Sequence, residues 1–273
     1  MTLIQGELAN QLHFKHWECD GTARAVVLIA HGLAEHSGRY QWFASQLNSM
    51  SVDVAALDHL GHGKSPGARC VVDRFGDYLE GVDALFKEVG AAATVPVYLF
   101  GHSMGGLIAA HSALRHPQRY AGLILSGPAV IAPDPPPALQ RWVLRLVSAL
   151  FPAAGVLALD GTAISTDQAV VDAYFADPLV YNGKISARLA CELFDAMTAL
   201  QSRAGEFVLP LLLMHATADR LTAPAGSDLI FECAASDDKT IKRYQGLFHE
   251  ILNEPQRDSV FADLRHWLDT RLT

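Results

Sequence analysis

Three residues far apart in the chain have the types and the order needed for acyl transfer. Ser103 stands in LFGHSMGG, residues 99–106, at the centre of a Gly-x-Ser-x-Gly run. A serine hydroxyl is a weak nucleophile until a neighbouring base takes its proton. That base is best supplied by a histidine held by a carboxylate. Twelve histidines compete. His249, in YQGLFHEILNE, is the one that follows a strand candidate and a glycine turn, and Asp219, in HATADRLTAP, also follows a strand candidate. The reaction also needs donors for a developing oxyanion. The backbone N–H of Met104, the residue after the serine, is one. The N–H of Leu33, in LIAHGLAEHSGRY, is the natural second, with Gly32 letting the backbone come close. His102 is expected to point across the turn as a packing residue. The plainer alternatives are a glycine-rich turn with an idle serine and an ordinary loop at residues 31–33.

These groups need a scaffold that brings them to one edge. Mostly apolar runs recur at Ala25–Ala30, Val52–Leu57 and residues 95–100, 122–125 and 209–214, with a more polar one at 240–244. Runs that are apolar throughout suit parallel strands covered on both faces. Helical spacing lies between them, as in Phe75, Leu79, Val82, Phe86 and Val89, and again in Val260, Leu264, Trp267 or Leu268, and Leu272. The fold class read from this alternation is α/β: a doubly wound, mostly parallel sheet with helices on both faces. Strand 95–100, the Gly-x-Ser-x-Gly turn and a helix over 107–115 form the context of a nucleophile elbow, which holds the serine in a strained conformation. Asp219 and His249 follow other strands, on the edge where α/β folds place their sites. The order Ser103, Asp219, His249 is that of α/β-hydrolases.

The strand rhythm breaks after Gly127. The segment IAPDPPPALQ is followed, up to about residue 203, by helical patterns without a strong strand candidate. Residues 130–205 are therefore read as a helical insertion between two strands of a core made of residues 1–129 and 206–273. The alternative is an ordinary set of sheet-covering helices. In this segment Leu139, Trp142, Val143, Leu146, Val147 and Leu150 form one helical stripe, away from Arg141 and Arg145. The stripe either packs down on the core or faces outward around the mouth of the site, where it can rest on a membrane or micelle.

Composition narrows the classes further. Of 273 residues, 50% are hydrophobic and 18% charged, so a large core is possible. The net charge of −8 and the absence of a basic run exclude nucleic acid as an expected partner. Cys19, Cys70, Cys191 and Cys233 form no CxxC pair, so buried reduced thiols are expected and neither a metal site nor a redox motif. The N-terminal 21 residues lack a basic stretch followed by an apolar one, and no run approaches ~18 uninterrupted apolar residues. A cytoplasmic protein is expected, with no signal peptide or spanning helix and at most peripheral membrane contact.

HGLAEHSGRY at 31–40, LDHLGHGKSPG at 57–67, GHSMGG at 101–106, TADRLT at 217–222 and FHEILNEP at 248–255 together resemble the monoacylglycerol lipase family. This is the monoglyceride lipase and lysophospholipase-like branch of the α/β-hydrolases. The resemblance runs from about residue 24 to the C-terminus, with residues 130–205 unmatched. It implies a serine hydrolase that cleaves monoacylglycerols of medium or long chain through an acyl-enzyme. Ser103 would be the nucleophile, His249 the base, Asp219 the orienting acid, and Leu33 and Met104 the oxyanion donors. It further implies that Glu35 and Arg39 shape the polar end where glycerol sits; a loop-stabilising ion pair is the alternative. Residues 130–205 would be the helical cap, forming an apolar tunnel over Ser103. No cofactor or metal is implied, and the partner is a small lipid ester. The alternatives are a lysophospholipase or general carboxylesterase of the same fold, a peptidase, and a binding protein that has lost its chemistry.

Overall fold

In the computed structural model, which describes residues 2–7 and 11–272, the six strand candidates line up side by side and parallel. They are β3 (Ala25–Ala30), β4 (Val52–Leu57), β5 (Val97–His102), β6 (Gly122–Ser126), β9 (Leu211–Ala216) and β10 (Lys239–Tyr244). Their order in the sheet is β4-β3-β5-β6-β9-β10. Two further strands, β1 (Thr2–Glu7) and β2 (His13–Glu18), extend the β4 edge as an antiparallel pair. This hairpin has no counterpart in the strand pattern above. In β2 the buried side chains are Phe14 and Trp17, three apart, so it lacks the period of two that marks a half-buried strand.

Each central strand is buried along its whole length, because both faces are covered. Leu28, Leu99, Leu123 and Leu213 point to one side, where α2 (Gly76–Leu85), α3 (Met104–Arg115), α6 (Ala187–Arg203) and α7 (Pro224–Cys233) contribute to the core. Ile29, Phe100, Ile124 and Leu212 point to the other, against α1 (Gln41–Asn48) and α8 (Arg257–Asp269). A π turn, Phe86–Gly90, prolongs α2, which accounts for the apolar spacing continuing to Val89.

Between β6 and β9 the chain forms α4 (Ala138–Leu150), β7 (Gly155–Ala158), α5 (Gln168–Ala176), β8 (Lys184–Ser186) and α6. β7 and β8 pair antiparallel, a correction to the purely helical reading of this segment. Strands of four and three residues are too short to leave a periodic signal. The stripe of α4 faces outward. Leu139, Trp142 and Leu150 are 72%, 62% and 64% exposed, and Val143 and Leu146 are exposed with them. The opposite side of the helix faces in. Leu144 packs against the core and Ser148 is buried, while Arg145, itself exposed, pairs with Asp195 of α6 at 2.7 Å. Packing of the stripe onto the core is thus excluded. The four cysteines are free. Cys233 is exposed rather than buried, because it ends α7. Among the described residues no helix is long and apolar enough to cross a membrane.

Candidate active site

The turn from β5 into α3 places Ser103 at φ 55° and ψ −120°. An L-residue takes this conformation only when its surroundings impose it. The glycines explain how. A Cβ on Gly105 would lie 2.0 Å from the Ala30 carbonyl oxygen, and one on Gly101 would lie 2.4 Å from the Gly105 carbonyl oxygen. The first turn of α3 is therefore pressed against β3 and β5 at a distance only glycine allows. The Ser103 N–H donates to the Ser126 carbonyl at 3.0 Å, and the Ser103 carbonyl accepts from the Ala129 N–H at 3.0 Å, tying the elbow to the end of β6.

Asp219 and His249 come together over that same strand end. A Cβ on Gly127 would be 3.3 Å from both Asp219 Oδ2 and His249 Nδ1. His249 Nδ1 lies 2.6 Å from Asp219 Oδ2. A carboxylate only accepts, so Nδ1 carries the proton and Nε2 is left as the basic nitrogen. Asp219 Oδ1 receives the N–H groups of Leu221 and Thr222 at 2.8 and 2.9 Å. Its Oδ2 also lies 2.9 Å from Thr222 Oγ1 and 3.2 Å from His215 Nε2. His215 Nδ1 is 2.7 Å from Ser227 Oγ, whose hydroxyl can donate to it and leave Nε2 protonated toward the acid. Burial by itself would raise the Asp219 carboxyl. The charge of His249 and the hydrogen bonds from His215, His249 and Thr222 outweigh it and hold the carboxyl well below its usual range.

The segment around His249 is held from both sides. The Phe248 N–H donates to Glu254 Oε1 at 2.7 Å, and the Glu250 N–H donates to the Ile164 carbonyl at 2.8 Å. Glu254 also accepts from Thr166 and Ser165, so residues 164–166 are bound to the histidine loop. His102 does not point away. Its ring centroid is 4.6 Å from that of His249, while Nδ1 faces the Ser126 carbonyl at 3.1 Å. Burial, then the neighbouring His249, push the His102 imidazole down to about 4. Strand β5 runs on through residue 102, and this is what turns the His102 ring toward His249.

Of the two donors named from sequence, Met104 is the first residue of α3, where an N–H has no partner within the helix. Leu33 follows Gly32, whose α-carbon packs directly over the serine: a Cβ there would sit 3.3 Å from Ser103 Cβ. Ala34 adopts φ 66°, which bends the loop away. The Gly32 N–H donates to Glu35 Oε1 at 2.6 Å, and that oxygen also accepts from Tyr40 Oη at 2.8 Å. Arg39 donates to Glu35 Oε2 at 3.1 Å and, as a fork, to both oxygens of Glu250 at 2.6 and 2.7 Å. Glu35 and Arg39 thus make the contacts of the ion-pair alternative, with Glu250 as a third member that spacing gave no reason to single out. Burial would raise Glu250, but the Arg39 guanidinium holds it down at about 2. Beneath this loop His31, His59 and His62 cluster with their rings tilted to one another, the His31 ring centroid 4.3 and 5.4 Å from the other two. Burial pushes His31 to about 4 and His62 to about 3, and His59 well below its ordinary value.

The arrangement has the parts for acyl transfer: a half-buried hydroxyl on a strained backbone, an oriented imidazole, and amides at a helix N-terminus. An open groove is lined by Leu144, Leu157, Phe194, Arg220 and Leu221, among others.

A family model described as serine aminopeptidase, S33, matches residues 21–256. The chain is similar to the monoacylglycerol lipase of Mycolicibacterium smegmatis, with 40% identity over 94% of this chain and 92% of the relative. It is similar to the human monoglyceride lipase, with 34% identity over 95% and 87%. Among solved structures, the monoacylglycerol lipase of Paleococcus ferrophilus shares 32% identity and a TM-score of 0.84 over 98% of both chains.

Proposed function

Because the chain belongs to the monoacylglycerol lipase branch of the α/β-hydrolases, within the serine aminopeptidase S33 family, we propose that it hydrolyses monoacylglycerols with Ser103, His249 and Asp219 as its triad. His249 Nε2 takes the proton of Ser103 Oγ as the oxygen attacks the ester carbonyl. The N–H groups of Leu33 and Met104 receive the negative charge of the tetrahedral intermediate. Collapse breaks the ester bond, and His249 returns the proton to the departing glycerol oxygen. Water then attacks the acyl-enzyme by the same route and releases the fatty acid. Asp219 keeps the imidazole in the tautomer that both steps need.

The observation that carries this reading is the positive φ of Ser103 at an elbow tied to the end of β6, against which the 2.6 Å Asp219–His249 pair also packs. The test is hydrolysis of a monoacylglycerol together with labelling by a serine-reactive phosphonate. Both should be lost in Ser103→Ala; retention of either removes the serine from the mechanism.

Residues 130–205 act as the cap in this proposal. The groove past Leu144, Leu157 and Phe194 suits an acyl chain of medium or long length. The outward stripe of α4, with Phe151, Leu157 and Phe175 also exposed, supports contact with a lipid surface from which substrate is collected. Burying one such side chain contributes roughly 1.5–3 kcal/mol, so two or three give reversible adsorption.

A further inference from the structure

We propose that Arg39 is a positioning residue for the hydrolysis, clamping the loop that carries the oxyanion donor Leu33 to the loop that carries His249. The proposal rests on the assignment of Ser103, His249 and Leu33 above. One guanidinium reaches both loops. On one side it donates to Glu35 Oε2 at 3.1 Å, and the other oxygen of Glu35 receives the N–H of Gly32, the residue before Leu33, at 2.6 Å. On the other side it forks onto Glu250, the residue after His249, at 2.6 and 2.7 Å. Arg39 and Glu250 are 211 positions apart, so no local chain geometry sets the spacing between these loops.

The contacts are those of a brace rather than of a group awaiting substrate. Glu35 and Glu250 are buried, and the Arg39 side chain is 11% exposed. Asn253 Nδ2 donates to Glu250 Oε2 at 2.8 Å and Tyr40 Oη to Glu35 Oε1 at 2.8 Å, so each carboxylate is oriented by a further neighbour. The ring of Tyr174, from α5, lies 4.9 Å from the guanidinium carbon, which brings the 130–205 segment to the same point. Buried ionic groups of this kind are a weak source of stability, since an apolar replacement of similar volume is often neutral or better. What the bidentate fork does supply is direction: two parallel hydrogen bonds fix a plane as well as a distance. Here that plane sets the oxyanion loop against the histidine loop, on which the approach of Leu33 and His249 to one carbonyl depends.

The test compares Arg39→Lys, Arg39→Met, Glu250→Gln and the triple variant Glu35→Gln/Arg39→Met/Glu250→Leu with the wild type and Ser103→Ala. Steady-state hydrolysis of a soluble monoacylglycerol is measured together with Tm. Arg39→Lys keeps the charge and the fold but cannot fork, and its kcat is expected to fall with KM held. In Arg39→Met and Glu250→Gln the fall is about 10- to 100-fold, the scale of a small misplacement of catalytic groups, with KM within about twofold. The triple variant leaves no charge unpaired, because the amide introduced by Glu35→Gln can still accept from the Gly32 N–H and Tyr40 Oη, and it should recover the wild-type Tm without recovering kcat. Recovery of kcat together with Tm would show that the ion pair only maintains the fold and overturn the proposal. So would a rise in KM with kcat kept, which would make Arg39 a substrate contact. An active wild type and an inactive Ser103→Ala beside Arg39 variants of full kcat sink the clamp alone. An inactive wild type, or an active Ser103→Ala, sinks the catalytic assignment and the clamp with it.

Discussion

His249 Nδ1 lies 2.6 Å from Asp219 Oδ2, and the same carboxylate oxygen lies 3.2 Å from a second buried histidine, His215. Asp219 therefore holds the imidazole of His249 while its own position is fixed by Thr222, Leu221 and His215. Replacing the acid by its amide removes the acceptor that selects the tautomer. Asp219→Asn should lower kcat by about 10³–10⁴, as in other triads, with the fold intact. Steady-state kinetics check this, and nearly full activity would show that another group orients His249.

Stability should fall in mild acid earlier than carboxylates alone dictate. In the unfolded chain a histidine titrates near ~6.5, whereas in the fold His31, His62 and His102 are pushed down to about 4, 3 and 4. Below ~6.5 the unfolded state therefore binds protons that the native state refuses, and the contribution of these groups is lost as pH falls from ~6.5 through their native values. One such histidine costs about 2 kcal/mol by pH 5. The depressed carboxyls of Asp219 and Glu250 contribute above ~4 and weaken the fold only at lower pH. Tm should drop between about pH 7 and pH 5 with proton uptake on unfolding, both measurable by calorimetry. A flat Tm over that range contradicts the burial of neutral histidines.

The glycines of the elbow should be intolerant of one methyl group. Gly105→Ala puts a Cβ 2.0 Å from a backbone oxygen of β3, where no flexible side chain can yield. The expected loss is at least about 3 kcal/mol, the upper end of overpacking, and it is accompanied by loss of phosphonate labelling at Ser103. An unchanged denaturation midpoint would mean that the helix and strand are farther apart than described.

The outward stripe of α4 lets the proposed adsorption be tested apart from folding. Trp142→Ser with Leu146→Ser removes two exposed side chains, and exposed substitutions change stability by about ±0.5 kcal/mol or less. Tm and activity on a soluble short ester should hold while activity on a long-chain monoacylglycerol emulsion drops. A net charge of −8 offers no attraction to anionic lipid, so adsorption must be driven by apolar contact, which on an uncharged surface should be only weakly sensitive to salt. Equal activity of variant and wild type on the emulsion removes the stripe from substrate capture.

Patterns with a short period were legible in the sequence. The run 25–30 has no polar residue and suits a strand buried on both faces, and it forms β3. Gly101, Gly105 and Gly106 around one serine foretold a tight elbow, because no other residue permits such an approach. The chain order of Ser103, Asp219 and His249 followed from the order of the strands that end beside them. Other relationships depend on residues that the sequence keeps far apart. The outward turn of the α4 stripe was undecidable from periodicity, which shows that a helix has an apolar face but not where that face looks. Contact with α6 through Leu144 and Arg145 decided it. Likewise Glu250 is an ordinary acidic residue next to a histidine until folding brings Arg39, 211 positions away, onto both its oxygens. Local spacing encodes elements and turns because their hydrogen bonds are local. The partner of a buried charge is chosen only when the chain closes on itself, and for Glu35, Arg39, Glu250, His102 and His215 that choice was made by the tertiary structure.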